Sequence, residues 1–395
     1  MIKVGLFIDT YFPMIDGVIN VVHNYAQRIN DGEFEVTVFC PVADKKYKDE
    51  FGYRVVRCKS AKISFLDYRL PMPKTDGKFK KTLKNSNLDI VHIHSPFSVG
   101  KMGVRYAKKY GIPVIATMHS QFKQDFYRAT HSNALTGIML KTVMKVFNNC
   151  DECYAVNGRV AEIFLEYGAK RLPKVMYNAT EMLPATNIGQ ACRLAEQTYG
   201  IAPDTPLLLF VGRLTALKNI YFIVDSLALL KDVDFKMFFV GSGQDEVELQ
   251  KRIDKQGLGD KVKIIGRVSD REMLKSLYSR AKLFLFPSLY DANSLVQIEA
   301  ASQKTPTLFA EGAATSSMVT DGVNGYIAPA DPQKYADKIA QILSDEQAYL
   351  RVCDGAFNDL YCSWDDAVEK LKNMYKNTIE QYNIDCGDRS GKTKR

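Results

Sequence analysis

Short apolar runs alternate along the chain with segments whose apolar residues recur every three or four positions. Lys3–Ile8 reads as a strand, followed by a loop through Tyr11, Phe12, Pro13 and Gly17. Val18, Val21, Val22, Tyr25, Ala26 and Ile29 then fall on one helical face, and Glu35–Cys40 is the next strand. This β-α-β opening predicts a parallel sheet. The pattern continues with strands over Leu88–His94, Pro113–Met118 and Glu152–Val156, and helices over Val99–Tyr110 and Ala134–Asn148. A further helix stops at Gly168.

A helix-poor stretch through Pro184, Thr186 and Gly189 then interrupts the alternation, and the domain boundary is placed there. Beyond it, strands are predicted over Leu207–Val211, Lys236–Val240, Val262–Ile265, Leu283–Phe286, Thr305–Phe309 and Gly325–Ala328. Helices fall over Tyr221–Leu230, Gln244–Lys255, Asp270–Arg280 and Ser294–Ala301, and three closing helices end near Tyr382. The expected fold class is α/β, with two doubly wound Rossmann-like domains, residues 1–182 and 183–364, facing a central cleft. Residues 365–384 form a last helix and the polar stretch 385–395 a disordered tail.

Composition narrows the class. With 395 residues, 46% hydrophobic and 25% charged, the chain can build two sizeable cores and is neither disordered nor fibrous. No apolar run approaches the ~18 residues that span a bilayer. Met1–Asp9 lacks the basic lead-in of a secretory signal, so a cytosolic chain is expected. The eight scattered cysteines read as reduced thiols, and the Cys150–Cys153 pair lacks the further ligands of a zinc site. Charge is uneven. Residues 1–180 hold 27 Lys+Arg against 16 Asp+Glu, and residues 45–84 hold 13 against 4, a field that attracts anions.

In such sheets ligands gather at the loops after the strands. Arg213 and Lys218 follow one strand and suit a diphosphate; a solvated basic loop is the competing reading. Gly241-Ser242-Gly243 follows another strand and is a weak signal. The segment Phe286–Ala300 is the most informative. Asn293 or Ser294 caps a helix whose first amides are free for a phosphate, and Asp291 and Glu299 offer carboxylates to sugar hydroxyls. Helix capping for Asp291 and an ion pair for Glu299 are the structural alternatives. In the first half, His94-Ser95-Pro96-Phe97 and His119-Ser120-Gln121-Phe122 end strands and are expected to open into the cleft, whereas His92 is expected to be buried. No carboxylate or thiol is placed to complete a metal site with these histidines.

Taken together, these segments resemble the retaining glycosyltransferases of family 4, with the two-domain GT-B fold, over nearly the whole chain. The resemblance rests on the glycine loop near Gly17, His94-Ser95-Pro96-Phe97, the His119 loop, Val211-Gly212-Arg213-Leu214 with Lys218, Gly241-Ser242-Gly243, Gly266-Arg267-Val268, the Asp291-to-Glu299 segment and Asp321-Gly322-Val323-Asn324-Gly325. Trp364 and the helix after it resemble the closing helix that crosses back to the first domain. The resemblance implies that Arg213 and Lys218 grip a donor diphosphate, aided by the amides around Asn293, Ser294 and Leu295. It also implies that Glu299 binds the ribose, that Asp291 holds the transferred sugar and that His119 orients it. Gly17 and Gly241 would approach the donor, the backbone near Arg267 would read the base, and neither metal nor cofactor is required. The chain departs from the family in carrying Asp291 where Glu is usual, Asp16-Gly17 for Gly-Gly and Asn178-Ala179 for Asn-Gly.

The implied activity is retaining transfer of a hexose from a nucleotide diphosphate sugar, with UDP-glucose as the guessed donor. His94, Phe97 and Phe122 stand on the acceptor side, and the segments His94–Lys101 and His119–Tyr127 resemble bacterial diacylglycerol glucosyltransferases. Phe65, Leu66, Tyr68, Leu70 and Phe79 are interleaved with basic residues, which suits an anionic membrane surface. The expected acceptor is therefore a lipid such as diacylglycerol, met by a cytoplasmic enzyme peripheral to the inner membrane face. A saccharide acceptor and an inactive sugar-nucleotide-binding scaffold remain alternatives. No RNA-binding motif is present, and nucleic acid is not an expected partner.

Overall fold

The computed structural model describes residues 1–14, 16–42, 47–62, 69–231, 233–292 and 294–392, with side chains through Cys386. Asn293 and the apolar residues Phe65, Leu66 and Tyr68 lie outside the described residues, as do Lys45 and Lys46. The chain forms two compact units, Met1–Asn178 with Trp364–Arg395, and Ala179–Ser363.

The first unit runs β1 (Ile2–Phe7), α1 (Gly17–Ile29), β2 (Phe34–Pro41), β3 (Arg54–Cys58), β4 (Ser60–Lys62), β5 (Arg69–Pro71) and α2 (Gly77–Lys84). It continues with β6 (Ile90–Ile93), α3 (Ser98–Tyr110), β7 (Val114–Met118), α4 (Lys123–Thr130), α5 (Asn133–Phe147), β8 (Glu152–Ala155), α6 (Gly158–Glu166) and β9 (Lys174–Val175). Seven parallel strands are ordered β3-β2-β1-β6-β7-β8-β9, and β4-β5 is a separate antiparallel hairpin. Central strands are largely apolar and buried because helices cover both faces of such a sheet.

The second unit comprises α7 (Ile188–Tyr199), β10 (Leu207–Val211), α8 (Ile220–Leu227), β11 (Lys236–Val240), α9 (Glu246–Lys255), β12 (Val262–Gly266), α10 (Arg271–Arg280) and β13 (Ala281–Phe286). It is completed by α11 (Leu295–Ser302), β14 (Thr307–Ala310), β15 (Tyr326–Ala328), α12 (Pro332–Ser344) and α13 (Glu346–Leu360). Its six parallel strands are ordered β12-β11-β10-β13-β14-β15. The two ends of this unit meet where Thr180 N–H donates to the Cys362 carbonyl at 3.0 Å.

Helix α14 (Trp364–Lys392) belongs to the first unit. Trp364 packs edge-on against Tyr25, and Lys372 pairs with Asp31 at 2.6 Å. Helix α14 extends to Lys392, with Gln381 donating to Asp385 one turn later. The helix-poor stretch near Gly189 is corrected. Asn187 caps α7 by accepting from Gln190 N at 3.0 Å, and Gly200 closes it in the left-handed conformation. Ala195 is the one fully buried residue of α7, so its apolar stripe is faint in the sequence.

Candidate active site

In each sheet the chain reverses its direction of travel between two central strands, β1 and β6 in the first unit, β10 and β13 in the second. Loops diverge at such a switch point and leave room for a ligand. In the second unit the loops after β10 and β13 are tied together: Asn219 Nδ2 donates to the Pro287 carbonyl at 3.2 Å, and Ser288 Oγ lies 3.4 Å from the Leu217 carbonyl oxygen.

This tie brings Lys218 and Asp291 into a salt bridge, both side chains at least four-fifths buried. Ser288 Oγ donates to the other oxygen of Asp291 at 2.5 Å, and Lys218 also lies 5.6 Å from the Phe286 ring centroid. The lysine is thus not a free cation. Arg213 differs: it is exposed, and among the described residues its guanidinium has no partner. It lines a cavity of about 250 Å³ with Gly212, Gly241, Ser242, Arg267, Val268 and Leu274.

Gly241-Ser242-Gly243 owes its glycines to the neighbouring loop. A Cβ on Gly241 would stand 1.9 Å from the Gly212 carbonyl oxygen, and one on Gly243 would stand 2.1 Å from that of Leu214. Gly241 also has φ +139°, which side-chain-bearing residues rarely adopt. The two loops are stitched by Leu214 N–H to the Ser242 carbonyl at 3.0 Å, and Ala216 N–H donates to Asp245 at 2.7 Å.

Glu299, on α11, is buried. Its oxygens accept from Arg271 at 3.1 Å and from the Tyr278 hydroxyl at 3.1 Å. Burial raises its pKa, opposed by Arg271. The structural alternative, an ion pair, is therefore realised. Arg271, Leu274 and Tyr278 share one face of α10, so the helix that holds Glu299 also contributes Leu274 to the Arg213 cavity. Arg271, Tyr278, Ser288 and Asn219 were not singled out from the sequence, because each acts on a partner more than twenty residues away or through the loop tie. Ser294 stands at the N-cap of α11 without a side-chain cap bond, and Leu295 is its first helical residue.

The first unit uses its switch point internally. Asp9, after β1, accepts from Ser95 Oγ at 2.6 Å, from Val99 N at 2.7 Å and from Gly100 N at 3.3 Å. A buried carboxylate therefore fills the N-terminus of α3, and Ser95 serves the fold. Burial pushes the Asp9 pKa up against these bonds. His94 is corrected from an open loop residue to a buried one, 4% exposed, with Nδ1 3.0 Å from His119 Nε2. It is drawn inward because its ring packs 4.0 Å from that of His92. His92 is fully buried, bonded to the Tyr375 hydroxyl and Thr117 Oγ1, both at 2.8 Å. His119 remains partly exposed. Phe97 and Phe122 meet edge-on at 6.0 Å; Phe97 is exposed, while Phe122 also packs on Phe126. Gly17 opens α1 behind the Asp16 cap, and a Cβ there would meet nothing within 4 Å.

Parts of the basic 45–84 region are structural: Arg57 turns inward to Asp49 and to the Pro41 and Phe12 carbonyls. Lys74, Lys78, Lys80, Lys81 and Lys84 are exposed, beside exposed Leu70 and Met72. Cys150 and Cys153 are free thiols that donate to carbonyls of α5. Among the described residues no group of three or more His, Cys, Asp or Glu is placed to hold a metal ion, and no helix is long and apolar enough to cross a membrane.

Comparison with known proteins assigns both units. The family described as Glycosyltransferase Family 4 matches residues 15–181, and that described as Glycosyl transferases group 1 matches residues 194–358. The chain is 24% identical to the alpha-monoglucosyldiacylglycerol synthase of Acholeplasma laidlawii over 340 residues, 82% of this chain and 84% of that one. It is 24% identical to the enzyme of the same name from Streptococcus pneumoniae over 330 residues, 82% of this chain and 74% of that one. Among solved structures, Anabaena HepE in complex with UDP superimposes with a TM-score of 0.77 at 18% identity, covering 95% of this chain and 100% of that chain. Two doubly wound parallel sheets, with the site loops after β10 and β13, are thus the two halves of a GT-B protein, and the chain belongs to the family 4 glycosyltransferases.

Proposed function

We propose that the protein is a retaining hexosyltransferase that moves glucose from UDP-glucose to a lipid acceptor of the diacylglycerol type at an anionic membrane surface. The observation that carries the lipid reading is the exposed lysine cluster on and before α2, with Leu70 and Met72 beside it, in a chain similar to two monoglucosyldiacylglycerol synthases.

Breaking a sugar–phosphate bond passes through an oxocarbenium-like state while the leaving diphosphate gathers charge. Arg213, a cation without a partner among the described residues, is poised to take a phosphate oxygen. Lys218 is the second cation, and exchanging Asp291 for phosphate frees the Asp291 carboxylate to accept from sugar hydroxyls while Ser288 keeps it aimed. In this reading Glu299, fixed by Arg271 and Tyr278, receives the ribose hydroxyls, and the backbone at Arg267 meets the base. Gly241 keeps the loops close, the amides at Ser294 and Leu295 support the phosphate, and His119 orients the sugar. The leaving phosphate takes the acceptor proton, so no separate base is assigned.

The test is release of nucleoside diphosphate from UDP-glucose, GDP-mannose and UDP-galactose, with and without diacylglycerol in anionic micelles. Acceptor-dependent release from UDP-glucose, with formation of an α-glucosyl lipid, supports the reading. Release stimulated only by oligosaccharides favours a saccharide acceptor, for which exposed Phe97 offers an aromatic face. Binding of UDP-glucose with no release under any condition makes the protein a binding scaffold.

A further inference from the structure

We infer that His94 is a positioning residue that fixes His119 in the tautomer carrying its proton on Nδ1, so that the remaining ring nitrogen of His119 is a hydrogen-bond donor and not an acceptor. The tautomer is argued from the first unit alone; the use of that donor in sugar transfer rests on the proposed function.

Burial lowers the pKa of all three clustered histidines, that of His119 to about 3. Each is therefore neutral at physiological pH and carries one ring proton. His94 Nδ1 and His119 Nε2 are 3.0 Å apart, so one is the donor and the other the acceptor. The remaining nitrogen of His94 decides which. Its Nε2 is buried and has no partner among the described residues. A proton there would be a buried, unmade N–H. With the proton on Nδ1, only a lone pair is left unused, the less costly of the two orphans. His94 Nδ1–H thus donates to His119 Nε2, and the His119 proton resides on Nδ1, for which no partner exists among the described residues.

The His94 ring is also held in place. It lies between the His92 ring at 4.0 Å and the Tyr25 ring at 6.1 Å. His92 is pinned by Tyr375 from α14 and by Thr117 from β7, both at 2.8 Å. Tyr25 is backed by Trp364, at 5.6 Å, and its hydroxyl reaches Met176 Sδ at 3.4 Å. A donor held this rigidly keeps its orientation without cost at the moment of reaction.

The experiment is long-range 1H–15N correlation NMR of the full-length protein at pH 7.5, with His119 assigned by loss of its signals in His119→Gln. A pyrrole-type Nδ1 and a pyridine-type Nε2 support the inference; the reverse pattern overturns it, and this arm needs no variant at His94. In the second arm, His94→Leu removes the donor and is expected to lower kcat with UDP-glucose about tenfold, with UDP affinity held. His94→Asn, whose side-chain amide places an N–H near the former Nδ1, restores most of the loss. Wild-type kcat in His94→Leu, or equal loss in Asn and Leu, overturns the positioning role. The expected tautomer in a protein that turns over no nucleotide sugar would instead refute the proposed function.

Discussion

Replacing Gly241 by alanine tests whether the cavity around Arg213 is built by backbone contact between loops. The new Cβ would stand 1.9 Å from the Gly212 oxygen, and an ordinary contact requires that separation to roughly double. Neither side yields easily: Gly212 N–H is bonded to the Val240 carbonyl at 2.9 Å and Gly241 N–H to that of Gly266 at 2.8 Å. Placing a side chain at φ +139° adds about 1–2 kcal/mol, and overpacking about 1–3 kcal/mol more. The expected destabilisation is about 2–5 kcal/mol, and a unit of this size shifts its midpoint by about 2–4 °C per kcal/mol. Thermal unfolding followed by circular dichroism, with UDP titrated calorimetrically, should show both a lowered midpoint and weakened binding. Gly17→Ala is the control, because its Cβ meets nothing and its fold cost is negligible. Loss of turnover at unchanged midpoint in Gly17→Ala marks close approach of the donor. A Gly241→Ala protein that unfolds and binds UDP like the wild type would refute the loop-contact argument.

Further expectations concern the charges. Arg213→Ala and Lys218→Ala should each lower kcat/KM at least about a hundredfold while Arg213→Ala leaves the unfolding midpoint in place; steady-state assays that find near-normal activity in both would remove the diphosphate roles. His119 has a folded pKa depressed to about 3, below its unfolded value near 6.5, so its contribution to stability is present above pH 6.5 and lost as pH falls toward 3. Denaturant titrations across that window should lose up to about 1.4 kcal/mol per pH unit from this one group, and His119→Gln should flatten the slope. Finally, sedimentation with phosphatidylglycerol vesicles at low salt should pellet the protein, and simultaneous Lys78→Glu, Lys81→Glu and Lys84→Glu should release it; equal binding to neutral vesicles would point away from an electrostatic surface.

The alternation of apolar strands and amphipathic helices was legible because each central strand is buried on both faces and each covering helix on one, so burial imprints two different periods on local sequence. The same rule explains what was missed. The edge strand β3 is largely half-buried and reads Arg54-Val-Val-Arg-Cys58, and α7 fully buries only Ala195, so neither carries a strong imprint. The candidate loops were legible for a topological reason, since every one of them follows a parallel strand.

Which of their side chains meet was not. Lys218 and Asp291 stand 73 positions apart, and their pairing exists because Asn219 and Ser288 tie two loops across the switch point. Glu299 finds Arg271 through the packing of two helices, and His94 is buried against the ring of His92, which is itself bonded from a helix nearly three hundred residues away. Sequence alone determined the central strands and most of their covering helices, their order and the loops that hold the chemistry, because those follow from local burial periods and from the handedness of the chain. The partners, the buried or open state of each histidine and the carboxylate spent inside the fold were decided by tertiary structure. Hydrogen bonds and ion pairs between distant loops depend on a distance that no stretch of sequence contains.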